Sequence, residues 1–115
     1  MDVDTRLVSG SGALLVMKQQ ESHAMYGYQM IEELKVRSED AFHLKAGSLY
    51  PLLHGLEEKG YVTAYEQEAA AGKPRRYYHL TKQGHAALQE KEDSWHAYSR
   101  AVSQVLRGGS QFAGA

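Results

Sequence analysis

In the stretch 45–60, KAGSLYPLLHGLEEKG, the apolar residues Leu49, Leu52, Leu53 and Leu56 fall at i, i+3, i+4 and i+7. That spacing commits the stretch to an amphipathic helix with one stripe to bury. Gly60 follows as a left-handed cap. The opposite ridge carries Gly47, Pro51, His54 and Glu58, with Ser48 and Tyr50 on its flanks. The first half of that ridge is small, hydroxylated or aromatic and holds no acid. Such a face can come very close to another surface. In a DNA major groove, Ser48, Tyr50 and His54 could reach base edges or phosphates, and Gly47 would let the backbone approach. Pro51 lacks an N–H, so it costs stability and bends the first turns. A broken local rule is more expected at a working site than in a plain packing helix.

The neighbouring segments define the rest of the fold. Residues 1–5 read as a frayed end. A first helix is expected from Arg6 to Gln20, with Leu7, Val8, Leu14, Leu15 and Met17 as its apolar content. Gly10 and Gly12 weaken it by about 1 kcal/mol each, unless they allow close packing. Residues 22–26 read as a connection. A second helix runs from Gly27 to about Arg37, and 38–44 forms a turn. After Gly60, the β-type residues Tyr61, Val62, Thr63 and Tyr65, and then Tyr77, Tyr78 and Leu80, flank the loop AAAGKP. Two such runs around a glycine loop predict a β-hairpin with a mobile tip. Lys73, Arg75 and Arg76 cluster at its tip and return strand. Thr81 is a good N-cap for a last helix from Lys82 to about Leu106. In that helix Leu88, Trp95 and Val102 are seven apart, and Tyr98 and Val105 lie three after the last two. This is an a/d seam for a helix–helix contact, with Lys91 as its one polar entry. Residues 107–115 read as a disordered tail.

Three helices, a basic two-stranded wing and a long last helix predict an α+β, mainly α, winged helix-turn-helix with a C-terminal dimerisation helix. Residues 1–81 would form the DNA-binding part and 82–106 the dimerisation helix. In this architecture the third helix lies in the major groove and the wing reaches the backbone or the minor groove.

The formal charge of −1 is unusual for a nucleic-acid binder. Its distribution is more telling. Lys35, Arg37, Lys45, Lys73, Arg75, Arg76 and Lys82 lie in the middle of the chain, whereas the first 34 residues hold only Arg6 and Lys18. There is no cysteine, so neither a disulfide nor a thiolate metal site can form. The six histidines never pair at i, i+3 or i, i+4, so no metal is expected. No apolar run approaches the roughly 20 residues of a membrane span. The start MDVDTR does not read as a signal peptide. A cytoplasmic location is expected. No nucleophile elbow, phosphate loop or paired carboxylate motif is present, so neither catalysis nor a cofactor is expected.

The motifs Tyr26-Gly27-Tyr28, Gly47-Ser48-Leu49-Tyr50-Pro51, Gly60-Tyr61-Val62 and Arg76-Tyr77-Tyr78-His79-Leu80-Thr81, followed by Gly84, resemble the PadR family of bacterial transcriptional regulators. The resemblance covers about residues 6–106. It implies a homodimeric, mostly repressive regulator that binds double-stranded operator DNA. It also implies a dimer contact through the last helix, and effectors that are often aromatic or planar and cationic. It adds Tyr26 to the expected DNA contacts. The family usually has Ser or Thr where Lys45 stands. Lysine cannot accept the orphan N–H bonds of a helix start, but it can offer a phosphate contact. The expected DNA-binding set is therefore Tyr26, Lys45, Gly47, Ser48, Tyr50, His54, Lys73, Arg75 and Arg76. The expected dimer and effector set is Leu88, Trp95, Tyr98, Val102 and Val105. The indole face of Trp95 suits a flat or cationic guest. The alternative reading is a winged-helix protein-interaction module without specific DNA binding, in which the wing charges are incidental.

Overall fold

The structure is a computed structural model that describes residues 5–68 and 72–108, with side chains from Gly10 onward. Most of the expected frayed end, half of the wing loop and most of the expected tail fall at residues 1–4, 69–71 and 109–115, outside the described residues, whereas Thr5 already begins the first helix. The element order is α1 (Thr5–Gln19), β1 (Met25–Tyr26), α2 (Gly27–Arg37), α3 (Ala46–Glu58), β2 (Val62–Glu68), β3 (Pro74–Leu80) and α4 (Lys82–Leu106). This is a winged helix-turn-helix whose last helix continues beyond the core.

The α3 stripe is the centre of that core. Leu49 and Leu53 are fully buried and Leu56 nearly so, against Val16 and Met17 of α1, Met30 of α2 and Leu88 of α4. Leucines buried to this degree each contribute about 1.5–3 kcal/mol. Leu52, at the edge of the stripe, explains Gly12. A methyl group there would stand 2.9 Å from Leu52 Cδ1, so Gly12 is a site of close helix packing. Gly10 meets nothing within 4 Å. Gln19 reaches across from α1 and donates its amide to the Met30 carbonyl at 2.9 Å.

Between α2 and α3 the chain reverses through Ser38. The Ser38 hydroxyl accepts from Phe42 N at 3.0 Å. Glu39 and Asp40 hold φ values of 52° and 67° in this turn, a left-handed conformation that costs non-glycine residues about 1–2 kcal/mol each. Helix α3 ends as expected. Gly60 has φ +78°, Gly60 N donates to Glu57 O, and Tyr61 N donates to Leu56 O, both at 2.9 Å. This paired closure satisfies two orphan carbonyls.

The sheet departs from the expected hairpin in one respect. Its order is β1-β3-β2, all antiparallel, so residues 25 and 26 form a third strand instead of a plain connection. Met25 and Tyr26 pair with Tyr78 and Tyr77. Strands β2 and β3 pair in register from Val62 opposite Leu80 to Glu68 opposite Pro74. Alternation puts Met25, Val62, Tyr78 and Leu80 on the core face. Tyr26, Tyr65, Tyr77, His79 and Arg75 therefore share the outer face.

Helix α4 begins at Thr81, whose hydroxyl accepts from Gly84 N at 2.9 Å, the expected N-cap. Only its first turns are covered, with Gly84 and Leu88 buried. From residue 93 onward nearly every side chain is exposed. No helix among the described residues is long and apolar enough to cross a membrane.

Candidate nucleic-acid interface

The stripe that buries α3 also fixes what it shows outward. With Leu49, Leu53 and Leu56 inside, Lys45, Gly47, Ser48, Pro51 and His54 are all exposed on its first turns. Lys45 sits at the N-cap with extended backbone and makes no side-chain cap bond, so its ammonium is not spent on the helix. Gly47 is helical, and a methyl group on it would meet nothing within 4 Å. Neither its backbone angles nor its neighbours call for glycine. Tyr50 is only 41% exposed. Its ring lies over Gly27 at the start of α2, where an added methyl would overlap the hydroxyl and stand 2.8 Å from the ring carbon that bears it. The Tyr26-Gly27-Tyr28 motif thus has a local cause: Gly27 makes room for Tyr50.

On the outer face of the wing, Arg75 stacks 4.4 Å above the centre of the Tyr26 ring. Tyr26 meets Tyr77 edge-on at 5.4 Å, and Tyr77 stacks on Tyr65 at 5.7 Å. The His79 ring also lies near Tyr65, tilted, with centres 5.9 Å apart. Arg75 is therefore held by an aromatic ladder, and less side-chain entropy is lost when it binds an anion. Arg76 points to the other face of the sheet. It donates to Glu57 at 3.2 Å and lies over Tyr78. The Tyr78 side chain and the Glu57 carboxylate favour the charged guanidinium and raise its pKa further. Arg76 thus ties the wing to the end of α3. Lys73 and Arg75 are exposed and show no acid partner among the described residues. Reading residues one at a time missed Tyr65, Tyr77 and Glu57. Register explains the first two, and only the folded chain brings Glu57 to Arg76.

The expected dimer residues divide. Leu88 is a correction to the expected seam. It is 1% exposed and belongs to the domain's own core, so it is not open to a partner. Trp95, Tyr98, Val102 and Val105 are exposed along α4. Trp95, Tyr98 and Val102 line one wall of a groove of about 970 Å³ against α1, with Leu14, Phe42 and Tyr61 among the other lining residues. Lys18 braces α1 to α4 through Glu92 at 2.7 Å. Hydrogen bonds to Glu21 and Glu92 raise the pKa of Lys18.

The comparisons with known proteins agree with this arrangement. Residues 14–90 match the transcriptional regulator PadR-like family. The chain belongs to that family. A transcriptional regulator of Mycobacterium tuberculosis is 33% identical over 101 residues, 88% of each chain. The crystal structure of a PadR family transcriptional regulator from Eggerthella lenta superposes with a TM-score of 0.78 at 30% identity, covering 89% of this chain and 87% of that one. A PadR family regulator from Clostridium difficile gives 0.72 at 31% identity, covering 84% and 99%. This PadR-like chain is therefore a transcriptional regulator.

Proposed function

We propose that this PadR-like chain is a homodimeric, sequence-specific DNA-binding repressor of the cytoplasm that responds to a small ligand. The observation that supports DNA binding most is Gly47. A glycine costs a helix interior about 1 kcal/mol, and no neighbour among the described residues repays it. Close approach of a duplex to that ridge does. Ser48 and His54 then face base edges, Lys45 a phosphate at the helix start, and Tyr50 the groove wall beside Tyr26. Lys73 and Arg75 hold the backbone from the wing, and Arg76 keeps the wing at its angle to α3.

Salt dependence tests the wing. Two cations in each of two subunits make about four phosphate contacts, so the slope of log K against log salt from the wings should be about −3.5. Arg75→Ala should flatten the measured slope by about 2. An unchanged slope means that Arg75 does not touch the backbone.

The exposed part of α4 is the proposed dimer contact, and the groove at Trp95 the proposed ligand site. A planar aromatic cation can stack on an indole face. If it favours one spacing of the two α4 helices, it shifts the population toward that spacing. Trp95 is the chain's only tryptophan and reports directly. Titration with planar aromatic cations should quench its fluorescence and change operator affinity over the same concentration range. Quenching without a change in DNA affinity leaves Trp95 a packing residue.

A further inference from the structure

Strand β1 is only Met25 and Tyr26, yet three parts of the fold meet there. Tyr26 pairs with Tyr77 of β3, so its side chain stands beside Tyr77 on the outer face and diagonal to Arg75. A diagonal neighbour is within reach of an aromatic or long side chain. Tyr26 is also the N-cap of α2, with extended backbone, and its N–H donates to Gln29 Oε1 at 3.4 Å. The next residue, Gly27, lies under the Tyr50 ring of α3. Tyr26 thus joins the wing to α2 and, through Gly27, to α3. Its ring is half-buried. The Arg75 guanidinium covers it at 4.4 Å, and the Tyr77 ring stands at 76° to it.

The two wing arginines are placed differently. Across β2, Arg75 stands opposite Gln67 and Arg76 opposite Glu66. Arg76 also donates to Glu57, whereas Arg75 is exposed and stacked on Tyr26. A cation over a ring is held by the ring's negative face and spends none of its N–H donors there. The guanidinium fork stays free for a phosphate.

We infer that Tyr26 is a positioning residue that does not itself touch DNA. On the DNA-binding reading proposed above, it aims Arg75 at one phosphate in fixed register with the bases under α3. Phosphate contacts set the register of a protein on the duplex but carry no sequence information. An untethered arginine could reach several phosphates, and ordering it would cost rotamer freedom at binding. The stack on Tyr26 orders it in the free protein. Because Tyr26 is anchored beside α3 as well, the phosphate contact and the base contacts are held at one separation.

The test compares full-length wild type, Tyr26→Phe, Tyr26→Leu, Arg75→Ala and the Tyr26→Leu, Arg75→Ala double variant on a duplex that the wild type selects from a random library. Phenylalanine keeps the ring face and loses only the hydroxyl, so Tyr26→Phe should bind within about twofold of the wild type. Leucine has no ring face. With a stack lost in each subunit of a dimer, Tyr26→Leu should bind about 5- to 30-fold more weakly. The loss should be uniform across operator variants, as expected of a phosphate contact. In the Arg75→Ala background the same change should cost less than about twofold, because the group it acts through is gone. One measurement needs no altered fold. In the free wild type, and in Tyr26→Phe, the Arg75 side-chain protons should resonate upfield, shielded by the ring. A Tyr26→Phe chain as weak as Tyr26→Leu would put the hydroxyl on DNA and overturn the inference. Equal costs of Tyr26→Leu with and without Arg75 would overturn it too, as would Arg75 protons at unshielded positions. A wild-type chain that selects no duplex contradicts the DNA-binding reading itself.

Discussion

Deleting residues 91–115 should convert a dimer into monomer or aggregate and weaken operator binding by about 10²–10⁴-fold, the range lost when two linked sites become one. Only the first turns of α4 are covered by the domain, at Gly84 and Leu88. Beyond residue 90 roughly four turns extend with few contacts of their own. A lone helix of that length is marginal in water, so something must hold it. It carries Trp95, Tyr98, Val102, Val105 and Leu106 exposed, with Tyr98 at 66% and Val105 at 78%. In the proposed dimer a second copy of the same helix is the partner that two-fold symmetry supplies. The two α3 helices would then have to lie about 34 Å apart, the spacing of successive major grooves. Sedimentation of the truncated chain checks this. A stable dimer after truncation would move the contact to another face.

Gly84→Ala should lower stability by about 2–3 kcal/mol, the upper part of the usual range for overpacking. That corresponds to a melting point roughly 10–20 °C lower for a domain of this size. The reason lies where α4 meets the end of α3. The Thr81 hydroxyl donates to the Gly60 carbonyl at 2.6 Å, Thr81 N to Tyr61 O at 3.0 Å, and Gln83 Nε2 to Lys59 O at 3.4 Å. This docking draws α4 so close that a methyl group on Gly84 would sit on the Tyr61 carbonyl oxygen, 2.9 Å from its carbon. The obstacle is backbone, so no side chain can swing aside. Alanine's better helix propensity returns about 1 kcal/mol and does not close the gap. On the proposed function the joint also couples the dimer helix to the DNA-reading helix, so the surviving folded fraction should bind operator less well. A melting point within two degrees of wild type, by circular dichroism, would contradict so close an approach.

Much of this was legible before folding. The Leu49 to Leu56 stripe, the Gly60 cap, the Thr81 cap and the extent of α4 each rest on a local rule, and local rules can be read along a chain. The misses share another origin. Two residues carry no periodicity, so Met25 and Tyr26 became a strand only by pairing with β3. Heptad spacing locates the seam of α4 but not how far its own domain covers that seam, so Leu88 was placed with the partner. Arg76 looked like Lys73 and Arg75 because its partner Glu57 lies 19 residues away. The aromatic ladder under Arg75 needed strand register. Gly10 and Gly12 look alike in sequence, yet among the described residues only Gly12 of the two faces a neighbour.

Above all, α3 is proposed to read a particular DNA sequence. A gel shift on the DNA upstream of the protein's own gene, with labelled duplex and increasing unlabelled competitor, tests that directly. The expected complex survives an excess of unrelated DNA and is lost to the same sequence unlabelled. A complex lost equally to both, or none at low salt, would contradict it and favour a winged helix that binds protein.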